Sequence, residues 1–600
     1  MLKEDEIRKI YVSRLSEYKA KLEKDRKVIL LLSLLRLFLF VFGIMATVLM
    51  FRINNVAGFT SLVGLIVLFA FLLKLFSDRS WRRDFNSNMI RINGEALKSV
   101  NEDYSAFEGG AAYIDSSHAF SHDLDIFGKD SFFQSLNRTC TEQGRDVLAG
   151  WLKDPLPLCR DIGRRKEVIN ELASEMEWRH KFAALGLMNI TSGSETEQFF
   201  SWLNEKALFS NKSFLKLMLV LLPVASSLLL ALSISGTINY SFFIGLFLLN
   251  LFFIAINLGK INSVHAKVSK RYSYLAVVSS LIGHFENYDF KSAYLAELKY
   301  RLGKDNVSAM GNIKRLARLI HSFDSRLNMI MGVILNGLFL WDYQCVTRIE
   351  AWKSRLSDKV PQWFNALAEA DAFSSLADYT FNKPGYVTPE LSKDGTFLLA
   401  ENLGHHLINS RKRIVNDYLI NKQACINVIT GANMAGKSTF LRTVGTNLVM
   451  AMCGAPVCAT RFEFTPADLF TSMRTSDSLS EDESYFFAEL KRLRILMERI
   501  EAGHNVFFIL DEILKGTNSK DKSEGSMAFL RKVISKGGTG MVATHDISLG
   551  SLLNEYPENI INSCFEIEIS GGEVIFDYLL REGITTKMNA RILMQQQGII

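Results

Sequence analysis

The sequence predicts a long helical region that is interrupted by two apolar hairpins and followed by an α/β domain. The first observation is helical periodicity, because residues 77–213 and 261–395 are rich in helix formers with apolar side chains three and four positions apart. The second is a set of four apolar runs arranged in two close pairs. The third is a change of pattern from about residue 396, where short β runs such as Ile426–Thr430 and Val506–Leu510 alternate with helical stretches. That alternation is typical of a parallel sheet covered by helices.

Length and composition exclude several classes of protein. A chain of 600 residues with 48% hydrophobic residues, 22% charged residues and 9 prolines is folded and large enough for several domains, and it is neither disordered nor collagen-like. The net charge of +6 arises from 69 basic and 63 acidic residues, and by itself it does not indicate nucleic-acid binding. The 7 cysteines include no C-x-x-C pair, so we expect no disulfide framework, no zinc, and soluble parts that are reduced and cytosolic.

The apolar runs predict four transmembrane helices in two hairpins. Val28–Phe51 and Phe59–Phe76 form the first pair, Phe214–Leu232 and Tyr240–Leu258 form the second, and each can cross a hydrocarbon core of roughly 30 Å. Residues 1–27 contain nine Lys and Arg, and further basic residues follow the second and fourth runs. Because basic flanks stay in the cytosol, we expect an integral protein of the inner or plasma membrane, with both termini and the C-terminal domain on the cytosolic side.

The apolar runs leave alternatives open. Burial in a large soluble core is the other interpretation, above all for the third run, which Pro223 interrupts. Arg36 lies inside the first run, where we expect it to contact a neighbouring helix. Met329–Trp341 is also apolar but is too short to span a bilayer, so we expect a buried helix of the soluble part.

A phosphate-binding loop is predicted where the β run Ile426–Thr430 is followed by G-A-N-M-A-G-K-S-T and then by a helical stretch. Gly431 and Gly436 allow this P-loop to wrap, so that backbone N–H groups and the helix N-terminus face the phosphates of ATP. We expect Lys437 to reach the β and γ phosphates and Ser438 to ligate Mg²⁺. The residues predicted to bind the nucleotide are Gly431, Asn433, Met434, Gly436, Lys437, Ser438 and Thr439.

Acidic and imidazole side chains follow two further β runs. Val506–Leu510 ends in Asp511 and Glu512, and we expect this strand to lie next to the P-loop strand. There Asp511 holds Mg²⁺ through water and Glu512 orients the water that attacks the γ-phosphate, whereas a helix cap or a solvated turn is the alternative. The run Met541–Ala543 ends just before His545, which makes His545 a candidate sensor of the γ-phosphate.

These motifs resemble those of the MutS family of DNA mismatch-repair ATPases. The similar segments of the last domain are TGANMAGKST, ILDEILKGTNSKD and ATHDISL, in the order and spacing of the family. The segment Ser484-Tyr-Phe-Phe-Ala-Glu489-Leu resembles the one whose serine completes the ATP site of the opposing subunit. Upstream, Leu136–Val168 resembles the start of the family's core domain, with its T-x-x-G-R and W-L-x-x-P-L patterns. The resemblance covers about residues 119–600 and implies an ATPase with Mg²⁺, a homodimer that shares Ser484 at the catalytic site, and DNA as a partner.

With this resemblance, the predicted fold class is an α/β P-loop ATPase domain of the ABC/MutS type, preceded by an all-α lever domain, with four transmembrane helices in two hairpins. The family's mismatch-recognition domain has no counterpart in residues 1–118, so we expect a membrane-anchored variant that lacks it. The predicted divisions are a basic N-terminus (1–27), hairpin one (28–76), a juxtamembrane segment (77–118), the lever (119–213 and 259–395), hairpin two (214–258) and the ATPase domain (396–600).

The sequence leaves three functions open. The first is a membrane-anchored ATPase with composite dimer sites that is coupled to DNA binding. The second is a transport or membrane-remodelling ATPase that acts on its own spans, although spans with few ionisable residues form a poor transport pathway. The third is a membrane scaffold with degraded activity, against which the presence of Lys437, Asp511 and Glu512 argues.

Overall fold

Two long helices form the first part of the chain. The computed structural model describes residues 3–188, 194–209, 213–269, 271–303, 307–474, 485–515, 518–570 and 573–585. Helices α1 (Glu4–Ile53) and α2 (Asn55–Val100) pack against each other, and each continues from the predicted membrane segment into a polar segment without a break. The Arg36 guanidinium of α1 lies over the rings of Phe69 and Phe76 of α2, at 5.8 and 4.7 Å from their centroids. The helix contact expected for Arg36 is therefore confirmed.

A helical body follows, as the periodicity predicts. Its helices are α3 (Phe132–Leu136), α4 (Glu142–Lys153), α5 (Ile162–Ser174), α6 (Met176–Gly186), α7 (Ser194–Asn204), α8 (Ser213–Ile234), α9 (Tyr240–Ile256), α10 (Leu258–Val268), α11 (Tyr272–Glu286), α12 (Ala293–Gly303), α13 (Ala309–Asp324), α14 (Met329–Phe339), α15 (Trp341–Leu356) and α16 (Val360–Asn382).

Several of these helices have the length and apolar composition of membrane spans. Within the described ranges, α1, α2 and residues Phe214–Ile234 of α8 are each long and apolar enough to cross a bilayer. The pairs α9 with α10 and α14 with α15 reach that standard only together, and they bend by 67° and 80°. Pro223 lies inside α8 without ending it. Length and composition thus make these helices candidates for membrane insertion.

Helix α14 contradicts the expectation of a buried soluble helix. Met329, Ile330 and Met331 are 82%, 72% and 46% exposed. The opposite face of α14 packs against α8 and α9, so closely that a Cβ on Gly337 would lie 2.1 Å from the Phe247 ring. The expectation was wrong because length shows whether a helix can span a bilayer, but not which surface covers it.

The last part of the chain is an α/β domain, as predicted. Among the described residues, six strands form a sheet in the order β10-β9-β4-β8-β7-β6, in which β10 is antiparallel to β9 and all other neighbours are parallel. The strands and helices of this domain are β1 (Glu390–Leu391), β2 (Leu398–Leu403), β3 (Asn416–Ile420), β4 (Ile426–Gly431), α17 (Lys437–Cys453), β5 (Arg461–Phe464), β6 (Asp468–Ser472), α18 (Tyr485–Glu501), β7 (Val506–Asp511), α19 (Ser519–Ser535), β8 (Thr539–Thr544), α20 (Leu552–Glu555), β9 (Ile560–Ser570) and β10 (Glu573–Glu582).

Two features of this domain differ from the expectation. The strand that ends at Asp511 is not next to the P-loop strand, because β8 lies between β4 and β7. A second sheet in the order β1-β5-β2-β3 is also present, and the sequence did not predict it. Its β3 alternates exposed and buried residues over a short stretch, which is a weaker signal than the fully buried β4 and β8 give.

Asp371 of α16 holds the start of α4 against the helical body. Its carboxylate accepts hydrogen bonds from the backbone N–H groups of Cys140 (3.1 Å) and Thr141 (2.8 Å) and from the Thr141 hydroxyl (2.5 Å). The Thr141 hydroxyl also caps α4 by accepting from the Gly144 N–H, and a Cβ on Gly144 would lie 2.3 Å from Asp371. The T-x-x-G spacing therefore combines a helix cap with a close helix contact. Burial raises the pKa of Asp371 to about 6, although the hydrogen bonds oppose that shift.

We expect Asp371→Ala to lower the free energy of unfolding by roughly 3 kcal/mol, because several buried donors lose their acceptor. Asp371→Asn should cost less, since its amide oxygen still accepts. Thermal unfolding of the detergent-solubilised chain measures both, with Asp394→Ala in an exposed loop as the control. Equal unfolding temperatures for Asp371→Ala and Asp394→Ala would show that Asp371 does not hold α4.

Candidate active site

The loop between β4 and α17 forms the candidate phosphate site. β4 is buried along its whole length, and α17 begins directly after Gly436. Gly436 has a φ of 107° and Met434 a φ of 65°, in the left-handed region that turns the chain sharply. The Met434 side chain is exposed, as is Asn433 beside it. The N-terminus of α17, which favours anions, therefore opens onto this loop.

Lys437 is buried beneath the loop. Its Nζ donates to the carbonyls of Gly431 (2.7 Å) and Ala432 (3.0 Å) and lies 3.3 Å from Nε2 of His545. Burial lowers the pKa of Lys437 to about 8, although the carboxylates of Asp511 and Glu512 oppose the shift. The loop carbonyls thus fix the amine at the foot of the P-loop.

Parallel strands bring the acidic residues and His545 to the P-loop edge of the sheet. β7 ends at Asp511 and β8 ends at Thr544, so the residues that follow them meet the P-loop even though β8 separates β7 from β4. The Glu512 N–H donates to the Ala543 carbonyl at 2.8 Å, and its φ of 60° is one that non-glycine residues rarely adopt. This backbone turn directs Glu512 toward His545, whose Nε2 lies 3.1 Å from Glu512 Oε1.

Both carboxylate oxygens of Glu512 have partners. Oε1 faces His545, and Oε2 accepts from Lys522 Nζ at 3.0 Å. Burial alone would raise the pKa of Glu512, but the hydrogen bond and charge of Lys522 outweigh it, so the pKa lies below its usual value. Burial and the Lys437 charge lower the pKa of His545, against the opposing effect of Glu512. At neutral pH the site therefore holds an ionised carboxylate beside a neutral imidazole.

A cavity of about 670 Å³ lies over the loop. Its walls include Leu403, His405, Ile408, Lys412, Ile414, Asn416, the P-loop residues Ala432–Thr439, Asp511, Glu512, Lys515, His545 and Tyr578. Ser438 and Asp511, which carry a hydroxyl and a carboxylate, are both among these lining residues. Oxygen ligands of this kind are those that Mg²⁺ prefers, so the residues present fit a magnesium ion.

The predicted catalytic residue Ser484 lies outside the described residues. Glu489, five positions further on, is buried in α18. It accepts hydrogen bonds from the backbone N–H groups of Leu514 (2.6 Å) and Lys515 (3.0 Å). Burial raises the pKa of Glu489 despite these bonds. Glu489 thus anchors the backbone that directly follows Glu512.

The sequence analysis assigned no role to three residues near the site: Lys522, Glu489 and Glu102. Glu102 lies two residues after the end of α2, where it accepts from the Ser410 N–H (3.0 Å) and pairs with Lys383 (3.5 Å) and Arg413 (3.6 Å). Residues Ile408, Lys412 and Ile414 around these partners line the cavity. Glu102 and Ser410 are 308 positions apart, so no local pattern could reveal the contact. It joins the end of the first helix pair to the cavity wall.

The comparisons with known proteins all concern the C-terminal part of the chain. The family model described as MutS domain V matches residues 427–592. The DNA mismatch repair protein MutS of Thermotoga neapolitana is 30% identical over 225 residues, which are 37% of this chain and 27% of that relative. MutS of Lachnoclostridium phytofermentans is 30% identical over 256 residues, 40% of this chain and 27% of the relative. MutS of Aquifex pyrophilus is 29% identical over 276 residues, 45% and 30% of the two chains. The chain thus covers less than a third of the length of these relatives.

The pKa of Lys437 predicts a pH dependence of polyphosphate binding. Since burial lowers that pKa to about 8, the amine loses its charge as the pH rises through 8, and affinity for ATP should fall by up to tenfold per pH unit above it. Equilibrium binding of a fluorescent ATP analogue between about pH 6.5 and pH 9.5 measures this. The control is Lys412→Ala, which removes another lysine of the cavity and should leave the fall in ATP affinity near pH 8 unchanged. Affinity that stays constant to the upper end of the range would contradict the assignment to Lys437.

Proposed function

We propose that this chain, whose residues 427–592 match the model of MutS domain V, is a membrane-anchored MutS-like ATPase that hydrolyses ATP to ADP and phosphate. The observation that carries the proposal is the convergence of Lys437, Glu512 and His545 beneath the P-loop. A cation, an ionised carboxylate and a neutral imidazole at one edge of a sheet are suited to phosphoryl transfer to water.

In the proposed mechanism the P-loop and Lys437 bind the phosphates of ATP, and the Glu512 carboxylate acts on the attacking water. The N–H groups at the start of α17 and Lys437 Nζ bind the β and γ phosphates. Ser438 and Asp511 would hold Mg²⁺, which would neutralise part of the phosphate charge when bound. Glu512 accepts a proton from the attacking water while the bond between the γ-phosphorus and the bridging oxygen breaks. The single N–H of the neutral His545 can turn from Glu512 to a γ-oxygen when ATP is bound, and Lys522 keeps Glu512 ionised.

We further propose that two chains share each ATP site. Ser484 immediately precedes α18, so its hydroxyl and the first N–H groups of that helix suit a γ-phosphate presented by a partner chain. Within one chain, Glu489 ties the same helix to the backbone after Glu512. A movement of α18 on dimerisation would therefore reach the catalytic carboxylate.

Membrane anchoring is the next part of the proposal. It is supported by the apolar lengths of α1, α2 and α8 and by the exposure of their large side chains, such as Leu31 (65%), Val67 (63%) and Val224 (62%). Apolar surface of this extent is rare on a soluble monomer. We place the ATPase domain and both termini in the cytosol, because the basic flanks of the spans lie on that side.

DNA is the proposed partner, because the relatives that match are named DNA mismatch repair proteins. The solubilised chain should retain DNA with an affinity that falls steeply with salt. Binding and ATPase rates on homoduplex, mismatched and branched DNA will show whether a particular structure is preferred. Failure to retain any of the three at low salt would remove DNA from the proposal and leave the ATPase.

Membrane remodelling is the second candidate, and the Glu102 contact favours it. α2 continues from its apolar segment to within two residues of Glu102, which binds Ser410 and Arg413. Because Lys412 of the cavity wall lies between these two residues in the chain, a change in the wall can reach the first hairpin through Glu102. If the cycle acts on the membrane, ATPase activity should depend on reconstitution into vesicles and not on DNA. Stimulation by DNA in detergent would instead favour the first candidate.

Catalysis and binding should separate in two variants. Glu512→Gln should still bind ATP but hydrolyse it roughly 100-fold more slowly or worse, because an amide cannot take the proton from water. Lys437→Ala should lose ATP binding, since no cation then faces the phosphates. Phosphate release and nucleotide binding measure the two effects, with Glu558→Gln at an exposed position as control. A Glu512→Gln enzyme as fast as the unsubstituted chain would refute the catalytic assignment.

A mixing experiment tests the shared site. Chains with Lys437→Ala and chains with Ser484→Arg should each lack ATPase activity, yet mixing them should restore part of it, because one hybrid site then has both intact halves. Ser535→Arg, at an exposed position of α19, should stay active alone. If mixtures in which heterodimers are demonstrated stay as inactive as their parents, the site is not shared.

A further inference from the structure

The exposed apolar face of α14 has no explanation in the proposed ATPase. Six large apolar side chains from the turn before α14 and from its first half are between 42% and 82% exposed: Leu327, Met329, Ile330, Met331, Val333 and Ile334. A contiguous patch of this kind in water is rare and marks an interaction surface. The helix has 11 residues and a length of about 16 Å, half of the hydrocarbon core, so it cannot cross a bilayer.

The opposite face of α14 is built into the second hairpin. Asn250 of α9, which is fully buried, donates to the Gly337 carbonyl of α14 (2.7 Å) and to the Ser226 hydroxyl of α8 (2.9 Å). These hydrogen bonds connect three helices at one level. Asn250 lies ten residues from the start of α9 and six from its end, about 15 Å and 9 Å along the axis. If α8 and α9 are in the membrane, Gly337 therefore lies within its hydrocarbon core.

Polar contacts join the residues just before α14 to those just after it. Arg326, just before it, pairs with the buried Asp342, just after it, at 3.1 Å, and also donates to Asn262 of α10 at 2.8 Å. The Trp341 indole N–H donates to the Ser322 carbonyl at 2.9 Å. Leu340, with a φ of 51°, turns the chain so that α15 leaves at 80° into the core of the helical body. The two ends of the apolar segment that contains α14 therefore lie close together, at this group of polar contacts.

We propose that α14 is a third, non-spanning membrane element that inserts beside α8 and α9 and turns its exposed face to lipid acyl chains. The inference rests on the proposed membrane anchoring. Lipid is the occupant that the structure favours, because the exposed face continues the exposed apolar faces of α8 and α9, which include Val224 (62%), Leu248 (58%) and Phe252 (65%). A surface of aliphatic side chains and methionines is also poor in the Trp, Tyr and Arg that dominate protein contacts.

Thiol labelling in membrane vesicles tests the insertion on the full-length chain. Ile330→Cys and Val333→Cys should react at least roughly tenfold more slowly with a membrane-impermeant maleimide than Tyr300→Cys, because a thiolate does not form in hydrocarbon. Tyr300 is 62% exposed on α12 of the helical body and serves as the aqueous control. Val224→Cys on α8 is the membrane control. The native cysteines are buried or half-buried, so the unsubstituted chain gives a low background.

The labelling pattern separates two failures. Rapid labelling at Ile330→Cys and Val333→Cys with protection at Val224→Cys would overturn the insertion of α14 and leave the anchoring by the second hairpin intact. Rapid labelling at Val224→Cys as well would overturn both. After denaturation in SDS each variant should bind one maleimide more than the unsubstituted chain with its native cysteines, which shows that the introduced cysteine is present.

Photocrosslinking identifies what covers the face. A p-benzoylphenylalanine placed at Ile330 in native membranes should form adducts with the mass of a phospholipid after irradiation. A crosslinked dimer of this chain, or a crosslink to another protein, would overturn lipid as the occupant even if the thiols are protected.

Discussion

One buried helix, α16, sets the arrangement of most of the helical body, because its polar side chains must all be paired. Four of them recur every three or four positions on one face and are at most 7% exposed: Asp371, Ser375, Asp378 and Asn382. Asp371 binds the start of α4, and Ser375 accepts from the Arg138 N–H. Asp378 pairs with Arg138 and Arg179, and Asn382 accepts from the Tyr11 hydroxyl of α1. Since an unpaired buried polar group is costly, this face fixes where α1, α4 and α6 lie.

The same helix places the first helix pair beside the nucleotide cavity. Tyr11 holds α1 against the last turn of α16 through its hydrogen bond to Asn382. Seven residues, 383–389, then lead from α16 to β1 of the α/β domain, while Glu102 holds the end of α2 against Ser410 and Arg413. The predicted membrane segment and the cavity wall are therefore connected by one rigid helix and one short ionic cluster. In the proposed ATPase this connection is a route by which nucleotide binding and the first hairpin can influence each other.

The two apolar units of the chain are built differently. In the first, α1 and α2 are continuous and Arg36 is accommodated by the rings of Phe69 and Phe76. In the second, α8 and α9 are shorter, α9 bends into α10, and Asn250 joins both to α14. The first unit is a pair of long, continuous helices. The second packs against the helical body through α14 and the ion pair of Arg326 with Asp342. Contacts with the helical body therefore help to fix the position of α8 and α9.

The sequence by itself determined the local features of this protein, and the tertiary structure decided which of them meet. Local patterns were enough to predict features that neighbouring residues set: the P-loop, the strand ends at Asp511 and Thr544, the helical periodicity and the apolar runs. Local patterns could not predict that β8 lies between β4 and β7, because every buried parallel strand is a similar apolar run and the pattern does not say which strands are neighbours. The exposure of α14 and the Glu102 contact were equally hidden, since burial and ion pairing depend on partners far away in the chain. Local chemistry fixed the groups that can act, and long-range packing fixed their distances.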